Sequence, residues 1–234
     1  QNKKCGKNEG DVVMPDKDAR LSLAFRAELA ADGLAKGNDS EFSSLAIYIF
    51  DKQNGDCEYS EFLPDITPEA IKEYRQVVAV TSRAKIGNYV GSDKSLSISL
   101  DKNTTMQDLE DMIVTNTTFS GSSVFMVGKK EIVVDNPFVE VEVPMKRLVA
   151  RLDIYVFKNN DLKDSDVKIV SVEFVNQVMN SRCNLEREMV SPVKTLHETR
   201  VITTNTTLQN MPSDLSVIIP ENAHASFYSY QNVI

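Results

Sequence analysis

The sequence predicts a mainly β protein whose strands pack as sandwiches, and three observations predict it. Apolar and polar residues alternate over many short runs, the period of strands with one buried face. Turn-forming residues, Asn54-Gly55 the strongest of them, punctuate those runs at short intervals. A single segment, Thr105 to Val114, carries a helical period instead.

Residues 1 to 18 are polar, hold Gly6, Gly10 and Pro15 and lack periodicity, so they read as a flexible tether. From Ala19 to Ala27, Leu21, Leu23 and Phe25 alternate with Arg20, Ser22, Ala24 and Arg26, which predicts a first strand. The small-residue stretch Ala30 to Ser40 predicts an exposed loop in which Lys36 offers a site for a trypsin-like cut. Ser44 to Phe50 and Glu58 to Phe62 flank Asn54-Gly55, the strongest short-range hairpin signal. Pro64 and Pro68 end that pattern, and Glu73 to Ser82, with Val77, Val78, Ala79 and Val80, reads as a buried strand. The Thr105 hydroxyl can cap the helix and Asp108 completes a short capping box. Met106, Leu109, Met112 and Ile113 line one face, which suits core contact with a sheet better than a partner groove. Val124 to Val127 and Glu131 to Val134 suggest a second hairpin that turns at Gly128-Lys129. Val167 to Val178, Arg200 to Thr207, Leu215 to Ile219 and Ala225 to Tyr230 are all β-prone.

Between them lies Val139 to Phe157. Val139, Val141 and Val143 alternate with Glu140 and Glu142; then Pro144, which has no amide hydrogen, is expected to interrupt the ladder. After Lys146 and Arg147 the alternation resumes through Leu148, Ala150, Leu152 and Ile154. Two strands joined by a proline-kinked basic hinge predict a hand-off between two β-domains, residues 19 to 145 and 146 to 234, behind the tether.

The chain has 234 residues, a net charge of -8 and a pI near 4.9, which works against a phosphate-backbone partner; no nucleic acid is expected. Aromatic residues make up only 7% and Trp is absent, so stacking platforms for bases or sugars are thinly supported. No run of eighteen apolar residues occurs, and the start at Gln1 reads as a processed one. Cys5, Cys57 and Cys183 allow at most one disulfide and say little of redox compartment.

Catalytic chemistry has little to stand on. His197 and His224 neighbour no serine nucleophile motif, and phosphate-loop, dinucleotide and zinc-hydrolase signatures are absent; no cofactor and no metal is expected. A Cys183–His197 pair assembled in space keeps a hydrolase reading open. Asp161, Asp164 and Asp166 lack the Gly and distal Glu of a calcium loop and read as a solvated turn. The sequons at Asn103, Asn116 and Asn205 suit Thr-rich β-turns.

Four segments together resemble the fimbrillins of Bacteroidales, the lipoprotein-derived pilus subunits. They are Ala19 to Phe25; Phe42 to Asp51 with Asn54-Gly55; Asp135-Asn-Pro-Phe leading to Pro144-Met-Lys-Arg-Leu-Val-Ala-Arg-Leu-Asp-Ile; and Phe227-Tyr-Ser-Tyr-Gln-Asn. The third carries most weight, since Arg147, Ala150 and Arg151 fit the Arg-x-x-Ala-Arg signature at the family's domain seam. In the fourth, Gln231 stands where the family carries Glu, and the chain stops at Ile234 where the family continues to further strands and a donor segment. The resemblance implies two transthyretin-like Greek-key β-sandwich domains with a short helix in the first. It implies a lipid-bearing Cys before Gln1 as the sole membrane contact, an outer-membrane precursor, and a processing protease that cuts near Lys36 although the family's usual Arg is missing there. The first strand, with Leu21, Leu23 and Phe25 pointing inward, would then be displaced by a neighbouring subunit's strand, while Pro144, Arg147 and Arg151 hold the seam. The implied function is a non-enzymatic, adhesive fimbrial subunit; the alternative of another class is a surface lipoprotein that binds a glycan or host protein.

Overall fold

The computed structural model describes residues 17–28, 42–66, 73–92, 104–115, 125–162, 166–184 and 196–230. In chain order these form β1 (Ala19–Ala27), β2 (Ser44–Asp51), β3 (Cys57–Leu63), β4 (Glu73–Val80), β5 (Lys85–Ser92), helix α1 (Met106–Asp111), β6 (Ile113–Thr115), β7 (Met126–Ile132) and β8 (Phe138–Arg147). There follow β9 (Val149–Ile154), β10 (Lys168–Val178), β11 (Asn180–Arg182), β12 (His197–Thr207) and β13 (Ala225–Tyr230), so the chain is mainly β with one short α-helix among the described residues.

Seven strands share one sheet in the order β3-β2-β5-β7-β8-β1-β4. β7 and β8 pair only at Met126–Arg147 and Val127–Lys146. The sheet folds over at this short join, and side chains from its two ends meet: Phe25 of β1 packs edge-on against Tyr89 of β5 at 4.9 Å between centroids. Every residue of β2 is buried, so this inner strand is covered on both faces. The Asn54-Gly55 hairpin joins β2 to β3 as expected, with Gly55 at φ +75. Thr105 and Asp108 form the expected capping box on α1, and Leu109 is its buried residue.

Several expectations need correcting. Pro144 does not interrupt a strand: β8 runs through it, and the break falls at Leu148. Arg20 N–H donates to Pro137 O and Glu28 N–H to Met145 O, so odd positions of β8 face β1. Pro144 faces the opposite edge, where β7 pairs only with Lys146 and Arg147, and its missing N–H costs no ladder bond. Nor does the chain turn at Gly128-Lys129, because Met126–Ile132 is one strand paired along β5. Gly128 is needed there for closeness: a Cβ would lie 3.0 Å from Met145 Sδ and 3.1 Å from Val143 Cγ1. The helix ends at Asp111 instead of Val114, since Ile113–Thr115 extends to pair with Asn180–Arg182. Leu215–Val217 is a 3-10 turn capped by Asp214, not a strand.

The later part of the chain is built from two-stranded ladders. β9 pairs with β13 and β10 with β12, and both pairs are antiparallel and two-stranded. Phe174 of β10 meets Phe227 of β13 at 5.3 Å, and Gln177 donates its side-chain amide to Tyr228 O. The β6–β11 pair ties this region to the sandwich, with the Arg182 guanidinium 2.5 Å from Asp111 Oδ1.

Candidate functional site

β1 is the element on which a strand-exchange function would turn, and its sequence explains its place. It holds no Gly or Pro, and its large apolar residues recur at every second position. It lies between β4, antiparallel, and β8, parallel, with eight residue pairs to each. Both its edges are therefore hydrogen-bonded, which makes it an inner strand.

Leu21, Leu23 and Phe25, the residues expected to point inward, are each 0% exposed. They sit beside Val139, Val141 and Val143 of β8, and Phe25 also stacks with Tyr74 of β4 at 6.5 Å. Burying three such side chains stabilises the sandwich by roughly 1.5 to 3 kcal/mol each. The opposite face of β1 is less polar than alternation suggests. Arg20 and Arg26 are exposed, but Ala24 is 2% and Ser22 9% exposed. Their register neighbours are Arg75 and Val77 on β4 and Glu142 and Glu140 on β8, longer side chains that shield the small ones between them.

Polar contacts fasten both ends of the strand. Lys17 Nζ donates to Ala79 O at 2.9 Å and Asp18 Oδ1 accepts from Ser82 N at 2.7 Å, so the last two residues of the expected tether are held. At the other end Arg26 pairs with Glu73, whose carboxylate also lies 2.8 Å from Arg75 Nε. The Arg26 hydrogen bond, then the Arg75 charge, hold the Glu73 carboxyl below the usual carboxylate range against the opposing effect of burial. Arg147 donates from Nη1 to Glu28 O at 2.6 Å, just beyond β1. Pro144 stands opposite Arg26. Arg151 lies on β9 opposite Tyr228 and pairs with Asp153 at 2.9 Å. Thus the structure brings Pro144 and Arg147 to the end of β1, while Arg151 belongs to the β9–β13 pair. Lys36 and Cys5 lie outside the described residues.

A buried ionic cluster that the sequence reading does not anticipate closes the opposite end of the sandwich. Lys85 is 0% exposed; its Nζ lies 2.7 Å from Glu58 Oε2, 2.8 Å from Thr81 Oγ1 and 3.4 Å from Asp51 Oδ2. Burial would raise the Asp51 carboxyl, but the Gln53 and Asn54 amides, with Lys85 and Arg83, hold it lower than usual. One signal was available: Lys85 shares the alternation parity of the core residue Tyr89. Glu73 carried no comparable signal, since a glutamate opening a strand looks solvated.

The catalytic alternative gains little from the geometry. A cleft of about 590 Å³ opens beside α1, β7 and β8, with Leu109, Val127, Lys130, Lys146 and Cys183 among its walls. Burial pushes the Cys183 thiol up to about 12, so it is protonated and a poor nucleophile at neutral pH. His197 Nδ1 lies 3.3 Å from Asn176 O, and His224 Nδ1 accepts from Val156 N at 3.2 Å. Among the described residues Cys57 and Cys183 are buried, no group of three or more His, Cys, Asp or Glu is arranged to hold a metal, and no helix is long and apolar enough to cross a membrane.

A family model described as fimbrillin-A associated anchor proteins Mfa1 and Mfa2 matches residues 14–225. No curated protein matches the chain. Among solved structures, a candidate cell adhesion protein from Bacteroides eggerthii superposes with a TM-score of 0.59 at 13% identity, covering 94% of this chain and 72% of that one. A fimbrial assembly protein from Parabacteroides distasonis gives 0.54 at 12% identity, covering 92% and 77%. A fimbrilin from Porphyromonas gingivalis gives 0.52 at 11% identity, covering 72% and 52%. At these identities the likeness is one of fold.

Proposed function

The chain belongs to the family of fimbrillin-A associated anchor proteins Mfa1 and Mfa2, and from that premise we propose that it is a structural, adhesive subunit of a cell-surface fimbria, joined to its neighbours by exchange of β1 for an incoming strand. One observation carries the exchange: β1 is an apolar inner strand hydrogen-bonded on both edges, yet it lies at the start of the fold and one chain cut in residues 29–41 would free it from β2. Its departure would expose two rows of unpaired peptide groups and the slot of Leu21, Leu23 and Phe25, a surface that an extended partner strand can refill.

In this proposal residues 1–18 are a tether, and residues 19–145 and 146–234 are two transthyretin-like domains meeting near Arg147. Export as an outer-membrane lipoprotein and processing at Lys36 belong to it as well. The subunit has no enzymatic role; its partners are other fimbrial subunits and the processing protease, with host protein or glycan contacts made by the assembled fimbria.

Trypsin treatment followed by native electrophoresis tests the exchange. A ladder of multimers is expected from the wild-type chain and none from a Lys36→Gln variant; monomers alone from both would sink the idea.

A further inference from the structure

The slot that holds β1 makes a demand of charge as well as of shape. Glu73 is 3% exposed in the wall of β4, and of the two cations that meet its carboxylate one, Arg26, belongs to β1 itself. On the same outward face Glu140 and Glu142 of β8 stand opposite Ser22 and Ala24. Arg75 is the cation that β4 contributes at this level, so the slot without β1 is acidic along its outer rim. Between the two arginines of β1, the outward positions are small and buried under their neighbours.

We propose that this slot selects its incoming strand by sequence: a partner strand must place a lysine or arginine against Glu73 and small residues at the two preceding outward positions, with large apolar residues between them. Stated along the strand, the pattern is apolar, small, apolar, small, aromatic, cation, as in Leu21 to Arg26. The partner is thus an extended segment of another polypeptide, and Glu73 is the residue that reads its charge. Left with Arg75 as its remaining cation, the buried Glu73 carboxylate penalises a neutral strand, and a like charge there is worse. A large outward residue at the place of Ala24 would have to push aside Arg75 and Glu142. This inference rests on strand exchange at β1.

The full chain, given a specific protease site within residues 29–41 and then cleaved, is incubated with labelled peptides spanning residues 18–28, and the captured peptide is measured after gel filtration. The wild-type and Arg26→Lys peptides should be retained, while Arg26→Glu and Ala24→Leu peptides should bind about tenfold more weakly or less. In a Glu73→Lys chain the preference between wild-type and Arg26→Glu peptides should reverse. A Glu73→Gln chain, the milder change, should lose most of it. Equal capture of wild-type and Arg26→Glu peptides by the unaltered chain overturns the selection by Glu73 and leaves strand exchange standing. Failure to capture even the wild-type peptide overturns the exchange itself.

Discussion

Leu23 and Val201 are both aliphatic residues in hydrogen-bonded strands, yet Leu23 is 0% exposed and Val201 51%. The contrast extends to their surroundings. Around Leu23, two layers of strands close on each other, both faces of β2 are covered, and even a lysine is buried among its counter-ions. Around Val201, a two-stranded ladder leaves one face open, and Leu152, Val170, Val175, Met211 and Leu215 of the same region are each about half exposed or more. Main-chain pairing therefore does not by itself bury a side chain; a second layer does. Stability concentrates where that layer exists, in the part of the molecule that also holds the strand proposed to leave.

Substitutions should separate the two regions. Phe25→Ala removes a ring that touches both layers and should destabilise the sandwich by about 3 to 5 kcal/mol in urea unfolding, whereas Val201→Ala should change stability by less than about 0.5 kcal/mol. Similar losses for both would erase the distinction. Lys85→Met leaves Glu58 and Asp51 facing each other without their shared cation and should cost roughly 3 kcal/mol; a stability unchanged from wild type would mean that the cluster is not closed in solution. Gly128→Val forces a side chain against Met145, Val143 and the Pro144 carbonyl, and about 1 to 3 kcal/mol of overpacking is expected in thermal unfolding.

Acid gives a finer comparison. Because the Glu73 carboxyl is held low in the folded chain, its contribution is complete above the ordinary carboxylate pKa of about 4.3 and is lost as pH falls through the lower folded value. Amide exchange at the Arg26 end of β1, corrected for its intrinsic rate, should accelerate below about pH 4. Glu73→Gln should flatten that response and leave the β10–β12 amides as they were. Equal acid sensitivity of β1 and β12 in the wild type would contradict this assignment.

Alternation marks Leu21, Leu23 and Phe25 plainly, because a period of two needs only the local chain. Asn54-Gly55 and the Thr105 cap are equally local. Lys85–Ser92 escapes notice because Gly87, Asn88 and Gly91 dilute its strand character, although Gly91 lies close to Phe42 and Gly87 leaves room for Tyr89. Gly128 and Pro144 mislead for one reason: each resembles a break until the pairing of each strand edge is known, and pairing is not local. The site divides the same way. Its apolar half is written in β1, whereas its acidic half comes from Glu73 on β4 and Glu140 and Glu142 on β8, brought together only by the fold.

The place of β1 also orders events in time. Leu21 pairs with Val78 and with Val139, so β1 is docked between two strands that lie far beyond it in the chain. Such distant pairings form slowly, because a long loop must close before any contact rewards it. Synthesised before both, β1 can pair with β4 first and lacks its second neighbour until β8 has been made. Docking of β1 between β4 and β8 is then the same step that the proposed exchange would repeat with a different strand.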